Sequence, residues 1–457
     1  MRPLSLAEAV LFSGGRLHGA GSQPIVRVQI DSRALKPGDL FVCLRGERFD
    51  GHDFAAAAAG AGAAALLVER VLPVDLPQIV CTDSQRALGL LAAGVAATRS
   101  TRVIGITGSN GKTSVKTLLA GILAGVGDAY ATPGNFNNEV GLPLSLLAQP
   151  EDASFGVYEM GAGQPGDIEW LAQLARPRYS LVNNIGPAHL ERLGSLLGIA
   201  EAKGAIYAAL PEDGVAVINQ DDAFAPLFTQ IAGRRRVLGF GLEHAAAVSA
   251  AGIQSDANAS RFTLQTPAGA VTVRLPLPGR HNVMNALAAA ALALAAGVDL
   301  VHIAQGLERA EGVLGRLTVR SHRSGAQIID DSYNANPGSV AAAIHTLAQG
   351  GGEAWLVLGD MRELGAQAQE LHAEIGRLAR AAGIARLFTV GALAEAAATA
   401  FGEGAEHFAT QPALADTLRS QLRSGLRVLV KGSRGSRMEQ VVAALFDGAN
   451  GGGGHAA

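Results

Sequence analysis

Short apolar runs alternate with longer helix-like stretches along most of this chain. In its middle part, apolar runs that are typical of strands lie at 103–107, 155–159, 179–183 and 215–219. Strands that alternate with helices in this way form parallel sheets covered by helices. We therefore predict a central α/β domain over residues 99–313. Residues 250–277, rich in Thr, Val and Gly, predict a β-rich insertion before an alanine-rich helix at 282–296.

The same alternation continues on both sides of the central region. Residues 1–98 predict a small N-terminal α/β domain, with strands at 25–30, 40–44 and 65–68 and an alanine-rich helix from Phe54. Residues 314–447 predict a Rossmann-like, doubly wound domain, with strands at 326–330, 355–358, 387–390 and 428–430. The glycine-rich residues 448–457 predict a disordered tail. The fold class is therefore α/β with three domains.

Composition supports a multidomain globular protein and excludes several other classes. A chain of 457 residues is too long for one ordinary core, and 48% hydrophobic with 17% charged residues excludes a largely disordered protein. The longest apolar runs, such as 286–296, are too short to span a bilayer, and the first residues lack a signal-peptide core. A net charge of −3 does not provide the positive electrostatic potential that nucleic-acid binding requires. We expect a soluble, cytoplasmic monomer.

A phosphate-binding loop is the most informative segment. The sequence TGSNGKT at 107–113 follows an apolar run and opens a helical stretch. The usual G-x-x-x-x-G-K-[ST] spacing is not met, because Ile106 occupies the first glycine position. Glycines let backbone N–H groups surround phosphate oxygens, a lysine neutralises the outer phosphates, and a hydroxyl can ligate Mg²⁺. A plain connector between strand and helix is the alternative, but it needs no Lys-Thr pair. We predict that a nucleoside triphosphate binds Gly108, Ser109, Asn110, Gly111, Lys112 and Thr113.

The basic residues carry a second signal. Of 37 Lys and Arg residues only five are lysine, namely Lys36, Lys112, Lys116, Lys203 and Lys431. Arginine supplies the ordinary surface charge of this chain, whereas a lysine can shift its pKa and act as a nucleophile. Each lysine therefore invites a chemical role, although Lys36 and Lys116 also fit plain surface positions. Cys43 and Cys81 sit in no activating motif and predict buried, inert thiols.

Polar residues collect where predicted strands end. They include the phosphate loop, Glu159, the pair at 183–184, the pair at 330–331, Asp360 and Lys431. Ligands of open parallel sheets bind beyond the carboxyl ends of the strands. Two such domains facing each other would form a cleft between them. Taken singly, Glu159 would more often be a salt-bridge partner and Lys203 a solvated helix residue.

Together, these motifs resemble the Mur ligase family, ATP-dependent amide-bond ligases of cell-wall synthesis, over nearly the whole chain. Matching segments of the central region are TGSNGKT at 107–113, TPGNFNNEVGLP at 132–143, EMG at 159–161, NNIGPAHL at 183–190, AKG at 202–204 and HNVMNA at 281–286. Further segments are most similar to the member that adds D-alanyl-D-alanine to UDP-N-acetylmuramoyl-tripeptide. They are DSR at 31–33, KPGDLF at 36–41, FDGH at 49–52, DDSYNANP at 330–337, LGDMRELG at 358–365 and VKGSR at 430–434.

The resemblance implies a set of residue roles. Thr113 and Glu159 would ligate one Mg²⁺, and His189 with a carbamylated Lys203 would serve a second; Lys112, Glu159, His189 and Lys203 form the implied catalytic set. The implied ATP contacts outside the loop are Asn282 at adenine, Arg316 at the phosphates and Asp331 at the ribose. The implied substrate contacts are Asp31, Ser32 and Arg33 at the UDP end, Asn135, Asn137 and Asn138 near the muramoyl peptide, and Asn334 and Lys431 near the dipeptide or phosphate.

The resemblance predicts ATP-dependent ligation through an acyl phosphate, with ADP and phosphate as products. Several alternatives stay open. A sister ligase would add diaminopimelate, lysine or D-glutamate, and a folylpolyglutamate synthase would use the same core. A non-catalytic nucleotide-binding homologue would not need two metal positions. A phosphate-loop kinase fits poorly with the second Rossmann-like domain. The third residue of the tripeptide, diaminopimelate or lysine, is not determined by the sequence.

Overall fold

Four sheets organise the chain in the computed structural model, which describes residues 1–187, 190–256, 258–313 and 315–446. His189 and the 448–457 tail, for which the sequence makes predictions, lie outside the described residues. In the described part of the chain, no helix combines the length and apolar character needed to cross a membrane. The α/β class with a β-rich insertion is confirmed.

The N-terminal region carries a five-stranded sheet in the order β1-β5-β4-β3-β2, parallel except for β1. Its elements are α1 (Leu6–Ser13), β1 (Arg16–His18), β2 (Arg27–Gln29), β3 (Asp39–Val42), α2 (Ala55–Gly60), β4 (Ala65–Val68), β5 (Gln78–Val80) and α3 (Ser84–Ala96). β3 and β4 are buried at every position, as expected for strands covered on both faces.

The central region carries a parallel six-stranded sheet in the order β11-β10-β9-β6-β8-β7. Its elements are β6 (Arg102–Thr107), α4 (Lys112–Leu123), β7 (Ala129–Ala131), α5 (Gly141–Ala148), β8 (Phe155–Glu159), α6 (Asp167–Ala175), β9 (Tyr179–Val182), α7 (Leu190–Leu193), α8 (Leu196–Ala208), β10 (Val215–Asn219), α9 (Ala225–Ala232) and β11 (Arg236–Phe240). β6 lies between β8 and β9, so the strand order changes direction at the phosphate loop. Ligands of open α/β sheets bind at such a switch point.

A three-stranded antiparallel sheet follows the central sheet and packs on it through a buried helix. Its strands are β12 (Ser249–Ser255), β13 (Ser260–Thr266) and β14 (Gly269–Leu275), followed by α10 (Arg280–Ala295) and α11 (Leu300–Glu308). α10 is buried along most of its length and joins the core formed by β6, α4 and the antiparallel sheet. A helix that is apolar all round is stable only in such an interior position.

The C-terminal region carries the sheet β15-β16-β20-β17-β18-β19, parallel except for β15. Its elements are β15 (Thr318–Ser321), β16 (Gln327–Asp331), α12 (Pro337–Gln349), β17 (Glu353–Gly359), α13 (Ala368–Ala381), β18 (Arg386–Val390), α14 (Glu395–Phe401), β19 (Ala405–Phe408), α15 (Gln411–Gln421), β20 (Leu426–Lys431) and α16 (Glu439–Phe446). Helices cover both faces, as shown by the two hydrophobic clusters on opposite sides of the sheet.

The strands that the sequence pattern did not predict are mostly at sheet edges. They are β1, β5, β7, β11, β15 and β19, and all but β5 are edge strands. These five strands are short and partly exposed, so their apolar signal is weak. The prediction that Cys81 is buried is too strong, since that side chain is half-buried whereas Cys43 is fully buried. Burial raises the pKa of Cys43 to about 12 and that of Cys81 to about 11, which keeps both thiols protonated.

Candidate functional site

The phosphate loop joins β6 to α4 through two glycines with positive φ, Gly108 at 143° and Gly111 at 78°. A Cβ at Gly111 would collide with the side-chain amides of Asn183 and Asn285, so the position requires glycine. Residues at the end of β9 hold the loop: Asn183 Nδ2 donates to the carbonyl of Asn110 at 3.0 Å, and the N–H of Asn110 donates to Asn184 Oδ1 at 2.8 Å. These bonds hold the loop against the end of β9.

Lys112 opens α4 and folds back over the loop. Its Nζ donates to the carbonyl of Gly108 at 2.6 Å, and the side chain lines a cavity above the loop. Burial and the nearby Arg316 guanidinium lower the pKa of Lys112, against the opposing attraction of Glu159. The cation thus lies where the outer phosphates of a bound nucleotide would need neutralising.

Glu159, at the end of β8, is buried beside α4. Its Oε2 accepts a hydrogen bond from Thr113 Oγ1 at 2.8 Å, and its Oε1 accepts one from Asn137 Nδ2 at 2.9 Å. Burial alone would raise the pKa of the Glu159 carboxyl, but the charges of Lys112 and Lys116 and the two hydrogen bonds outweigh it, so the pKa is lowered. Glu159 is therefore an anion in the folded protein.

Thr113 and Glu159 present two hard oxygen ligands side by side. Among the described residues, no group of three His, Cys, Asp or Glu side chains forms a metal cluster. Mg²⁺ does not need such a cluster, because it usually keeps several waters and binds one or two protein ligands together with substrate phosphates. An ionised carboxylate and a hydroxyl at the phosphate loop fit that pattern.

Lys203 lies on α8 and is 1% exposed. Burial, with repulsion from Lys112, lowers its pKa to about 7, although Asp167 acts in the opposite direction. A large fraction of this amine is therefore neutral near pH 7, which is the form that reacts with CO₂. His189, the residue paired with it in the prediction, lies outside the described residues.

A cavity of about 1120 Å³ lies between the central and C-terminal sheets. Predicted site residues from both sides line it: Ser109, Asn110, Gly111, Lys112, Asn135, Asn137, Asn138, Glu159, Asn282, Arg316, Asp331, Asn334 and Lys431. Asp31, Ser32 and Arg33 do not line it. They lie just beyond β2 in the N-terminal region, where Arg33 pairs with Asp31 at 2.7 Å. Gly108 and Thr113 of the phosphate loop and the buried Lys203 on α8 do not line it either. The structure thus brings most, but not all, of the predicted site residues to one cavity.

Arg316 reaches from the C-terminal side into the phosphate loop. Its Nη2 donates to Thr113 Oγ1 at 2.9 Å, and its guanidinium lies 4.5 Å from the centre of the Tyr333 ring. Its Nε is buried without a hydrogen-bond partner among the described residues. A buried donor that lacks an acceptor is costly, so this N–H is suited to an anionic ligand at the loop.

Asp331 and Lys431 lie opposite each other on neighbouring strands, β16 and β20. Lys431 Nζ donates to Asp331 Oδ2 at 2.5 Å and to the carbonyl of Asn334 at 3.0 Å. Burial raises the pKa of Asp331, while Lys431 opposes the rise. Lys431 is only 3% exposed, and both members of this buried ion pair line the cavity.

Lys116 is the site residue that sequence analysis left as a possible surface lysine. The structure places it one turn after Lys112, 5% exposed, with Nζ 3.4 Å from Glu159 Oε2. The same Nζ donates to the carbonyls of Thr132 and Gly134 at 2.8 and 2.9 Å. The only signal for it in the sequence was the scarcity of lysine in this chain.

Comparison with known proteins gives a consistent result over nearly the whole chain. Three Mur ligase models match it: the family's catalytic domain at residues 24–95, the middle domain at 106–293 and the glutamate ligase domain at 315–434. UDP-N-acetylmuramoyl-tripeptide--D-alanyl-D-alanine ligase of Escherichia coli (strain K12) is 45% identical over 97% of this chain and 99% of its own length.

Solved structures agree in fold. A crystal structure of MurF from Acinetobacter baumannii superposes with a TM-score of 0.93 at 35% identity, covering 98% of this chain and 99% of that one. MurF ligase from Thermotoga maritima in complex with ADP gives a TM-score of 0.84 at 30% identity, covering 92% and 97%. The ADP complex is consistent with a nucleotide site in this fold.

Proposed function

Because this chain belongs to the Mur ligase family, we propose that it joins D-alanyl-D-alanine to UDP-N-acetylmuramoyl-tripeptide at the expense of ATP. The observation that carries the proposal is the match, over nearly all of both chains, to the E. coli ligase with that activity. The site supports it, since one cavity combines a phosphate loop, a buried carboxylate and residues of the C-terminal sheet.

ATP binds on the central side of the cavity. The loop residues 108–113 surround its phosphates, Asn282 contacts adenine, Asp331 meets the ribose, and Arg316 approaches the phosphates from the C-terminal side. Lys112 and the unpartnered Nε of Arg316 supply positive charge where anions must approach each other. Preorganised cations of this kind stabilise the charge that develops in phosphoryl transfer.

The other substrate reaches the same cavity from the N-terminal side. Asp31, Ser32 and Arg33 hold the UDP end, while Asn135, Asn137 and Asn138 guide the peptide towards the loop. Asn334 and Lys431 contact the dipeptide or the phosphate. Asn137 also bonds Glu159, so the predicted peptide-binding segment and the predicted metal carboxylate are in direct contact.

Ligation proceeds in two steps. The terminal carboxylate of the tripeptide attacks the γ-phosphorus of ATP, giving an acyl phosphate and ADP. The neutral amine of D-alanyl-D-alanine then attacks the acyl carbon, the tetrahedral intermediate expels phosphate, and the amine loses a proton. Contact between the central and C-terminal regions excludes the water that would hydrolyse the acyl phosphate.

Two magnesium positions complete the proposal. Thr113 and Glu159 would hold one Mg²⁺, and His189 with carbamylated Lys203 would serve the second. Bound Mg²⁺ would offset the charge of the phosphates and polarise the phosphorus–oxygen bonds. The lowered pKa of Lys203 supports the carbamate, because only the neutral amine adds CO₂. We further propose that the enzyme works as a monomer in the cytoplasm, where ATP and the nucleotide-linked precursor are available.

Phosphate release tests the proposal. The purified protein is given ATP, Mg²⁺ and UDP-N-acetylmuramoyl-tripeptide, with and without D-alanyl-D-alanine, D-glutamate, diaminopimelate or lysine. We expect the dipeptide to stimulate phosphate release far more than any single amino acid. Faster release with a single amino acid would favour a sister ligase, and no release with any acceptor would favour a non-catalytic homologue. Precursors containing diaminopimelate and lysine, compared side by side, would identify the third residue.

A further inference from the structure

Six cationic side chains line the cavity between the central and C-terminal sheets: Lys112, Arg192, Arg280, Arg316, Lys431 and Arg434. Four of them are already engaged. Lys112 bonds Gly108, Arg280 pairs with Glu243, Arg316 bonds Thr113 and Lys431 pairs with Asp331. Within the described residues, the guanidinium groups of Arg192 and Arg434 have no ion pair or hydrogen bond. Arg434 is therefore the unpaired cation on the C-terminal side.

Arg434 is held on a rigid backbone although its side chain is exposed. The preceding Ser433 donates from its N–H to the carbonyl of Asp360 at 3.0 Å and from its hydroxyl to the carbonyl of Ala335 at 3.1 Å. Ser436 donates from its N–H to Ser433 at 2.8 Å and from its hydroxyl to Asp360 at 3.0 Å. A fixed backbone reduces the entropy that Arg434 would lose on binding a ligand.

Tyr333 lies in contact with both Arg434 and Arg316, the arginine at the phosphate loop. The guanidinium carbon of Arg316 lies 4.5 Å from the centre of the Tyr333 ring, and that of Arg434 lies 5.6 Å from it. Arg316 also bonds Thr113 of the phosphate loop. One aromatic ring therefore contacts both the arginine that approaches the reacting phosphates and the unpaired Arg434.

We propose that Arg434 binds the carboxylate of the incoming dipeptide, an inference that rests on the proposed function. The dipeptide carries its nucleophilic amine at one end and a carboxylate at the other, about 7 Å apart in an extended chain. Its amine must reach the acyl phosphate near Arg316, while its carboxylate must stay away from the phosphates. An arginine offers two parallel N–H donors to a carboxylate, which fixes orientation as well as position.

This position also gives a reason for the preference for a dipeptide over a single amino acid. In a single amino acid the carboxylate is one bond from the carbon that bears the amine. Under this proposal, a single amino acid with its amine at the acyl phosphate would hold its carboxylate close to the phosphates and away from Arg434. Lys431, the residue that sequence analysis placed near the dipeptide or the phosphate, is already paired with Asp331 and bonded to the carbonyl of Asn334, which leaves the carboxylate to Arg434.

The test compares D-alanyl-D-alanine with its C-terminal amide in wild type and in Arg434→Met. Wild type should prefer the acid, and Arg434→Met should lower kcat/KM for the acid by roughly tenfold to a hundredfold, the range expected for a hydrogen-bonded charge. Arg434→Met should leave kcat/KM for the amide almost unchanged, so the preference for the acid over the amide should disappear. The KM values for ATP and the UDP-linked substrate should stay unchanged. Arg434→Lys, which keeps the charge but loses the paired donors, should give an intermediate preference.

Arg192→Met is the matched control, because Arg192 is the other unpaired arginine of the cavity. It should keep the wild-type preference for the acid. If Arg434→Met keeps that preference, or Arg192→Met abolishes it, the assignment to Arg434 is wrong. If wild type ligates no dipeptide, the proposed function itself fails, which the wild-type assay alone reveals. The thermal unfolding midpoint of each variant checks folding. If Arg434→Met does not fold, the ratio of kcat/KM for the acid to kcat/KM for the amide is measured in Arg434→Lys instead, where it should fall below the wild-type ratio.

Discussion

The side chain of Asn336 donates from Nδ2 to Oδ1 of Asn110 at 2.8 Å and so joins the C-terminal region to the phosphate loop. Asn336 also caps α12, where its Oδ1 accepts from the N–H of Ser339 at 2.9 Å. Asn110 is in turn held by Asn183 and Asn184. One asparagine thus fixes the start of a C-terminal helix against the loop that is proposed to bind ATP.

Replacing Asn336 by serine separates these two roles. Serine is also a good helix cap, so Asn336→Ser should keep the unfolding free energy close to wild type, whereas Asn336→Ala should lose about 1 kcal/mol. Both variants lose the bond to Asn110, and we expect both to lower kcat/KM for ATP several-fold. Small-angle X-ray scattering should show a larger mean radius of gyration for both. Normal ATP kinetics in Asn336→Ser would mean that the bond between Asn336 and Asn110 does not help to hold the C-terminal region against the phosphate loop.

Lys116 should support both the site and the fold. Lys116→Met leaves the carbonyls of Thr132 and Gly134 without their donor and removes a positive charge beside Glu159. We expect a loss of about 1–3 kcal/mol in the free energy of unfolding, measured by urea titration. The Mg²⁺ concentration needed for half-maximal activity should also change, because the segment that carries Asn137 is less well held. Lys36→Met, at an exposed lysine, is the control and should alter neither quantity.

Lys203 should be replaceable in part by a small carboxylate. If its carbamate serves the second metal position, Lys203→Ala should be nearly inactive and partly recover in acetate, which can occupy the vacated space. Lys203→Arg should not recover, because a guanidinium fills the space with the wrong charge. Labelled CO₂ should give a carbamate signal in the carbon NMR spectrum of wild type that Lys203→Ala lacks. A Lys203→Arg enzyme with most of its activity would refute the carbamate.

The pKa of Lys203 also predicts how stability depends on pH. Its pKa falls from 10.5 to about 7 on folding, so between these values the unfolded chain binds more protons than the folded one. Stability from this group therefore rises with pH above about 7, while below pH 7 the folded protein bears the full cost of a buried charge. In carbonate-free buffer, the unfolding free energy of wild type minus that of Lys203→Met should increase between pH 7 and pH 10. A flat difference would contradict the lowered pKa.

The sequence by itself determined the α/β class, the β-rich insertion and the phosphate loop. These features depend on local periodicity and on residues that are close along the chain, such as Gly111, Lys112 and Thr113. Buried strands such as β8 and β10 were predicted at their observed bounds, because strands covered on both faces form uninterrupted apolar runs. Edge strands such as β1 were not predicted, because they are short and partly exposed and therefore have a weak apolar pattern.

Only the tertiary structure decided which of the charged residues have partners. In the sequence, nothing distinguishes Lys116 from the other four lysines of this chain. It is buried because β7 and β8 bring Thr132 and Glu159 against α4. Lys431 and Arg434 are three residues apart, yet Lys431 is paired with Asp331 from a neighbouring strand, whereas the Arg434 guanidinium has no ion pair or hydrogen bond among the described residues. Pairing depends on distances across the sheet and between regions. Sequence patterns contain no direct measure of those distances.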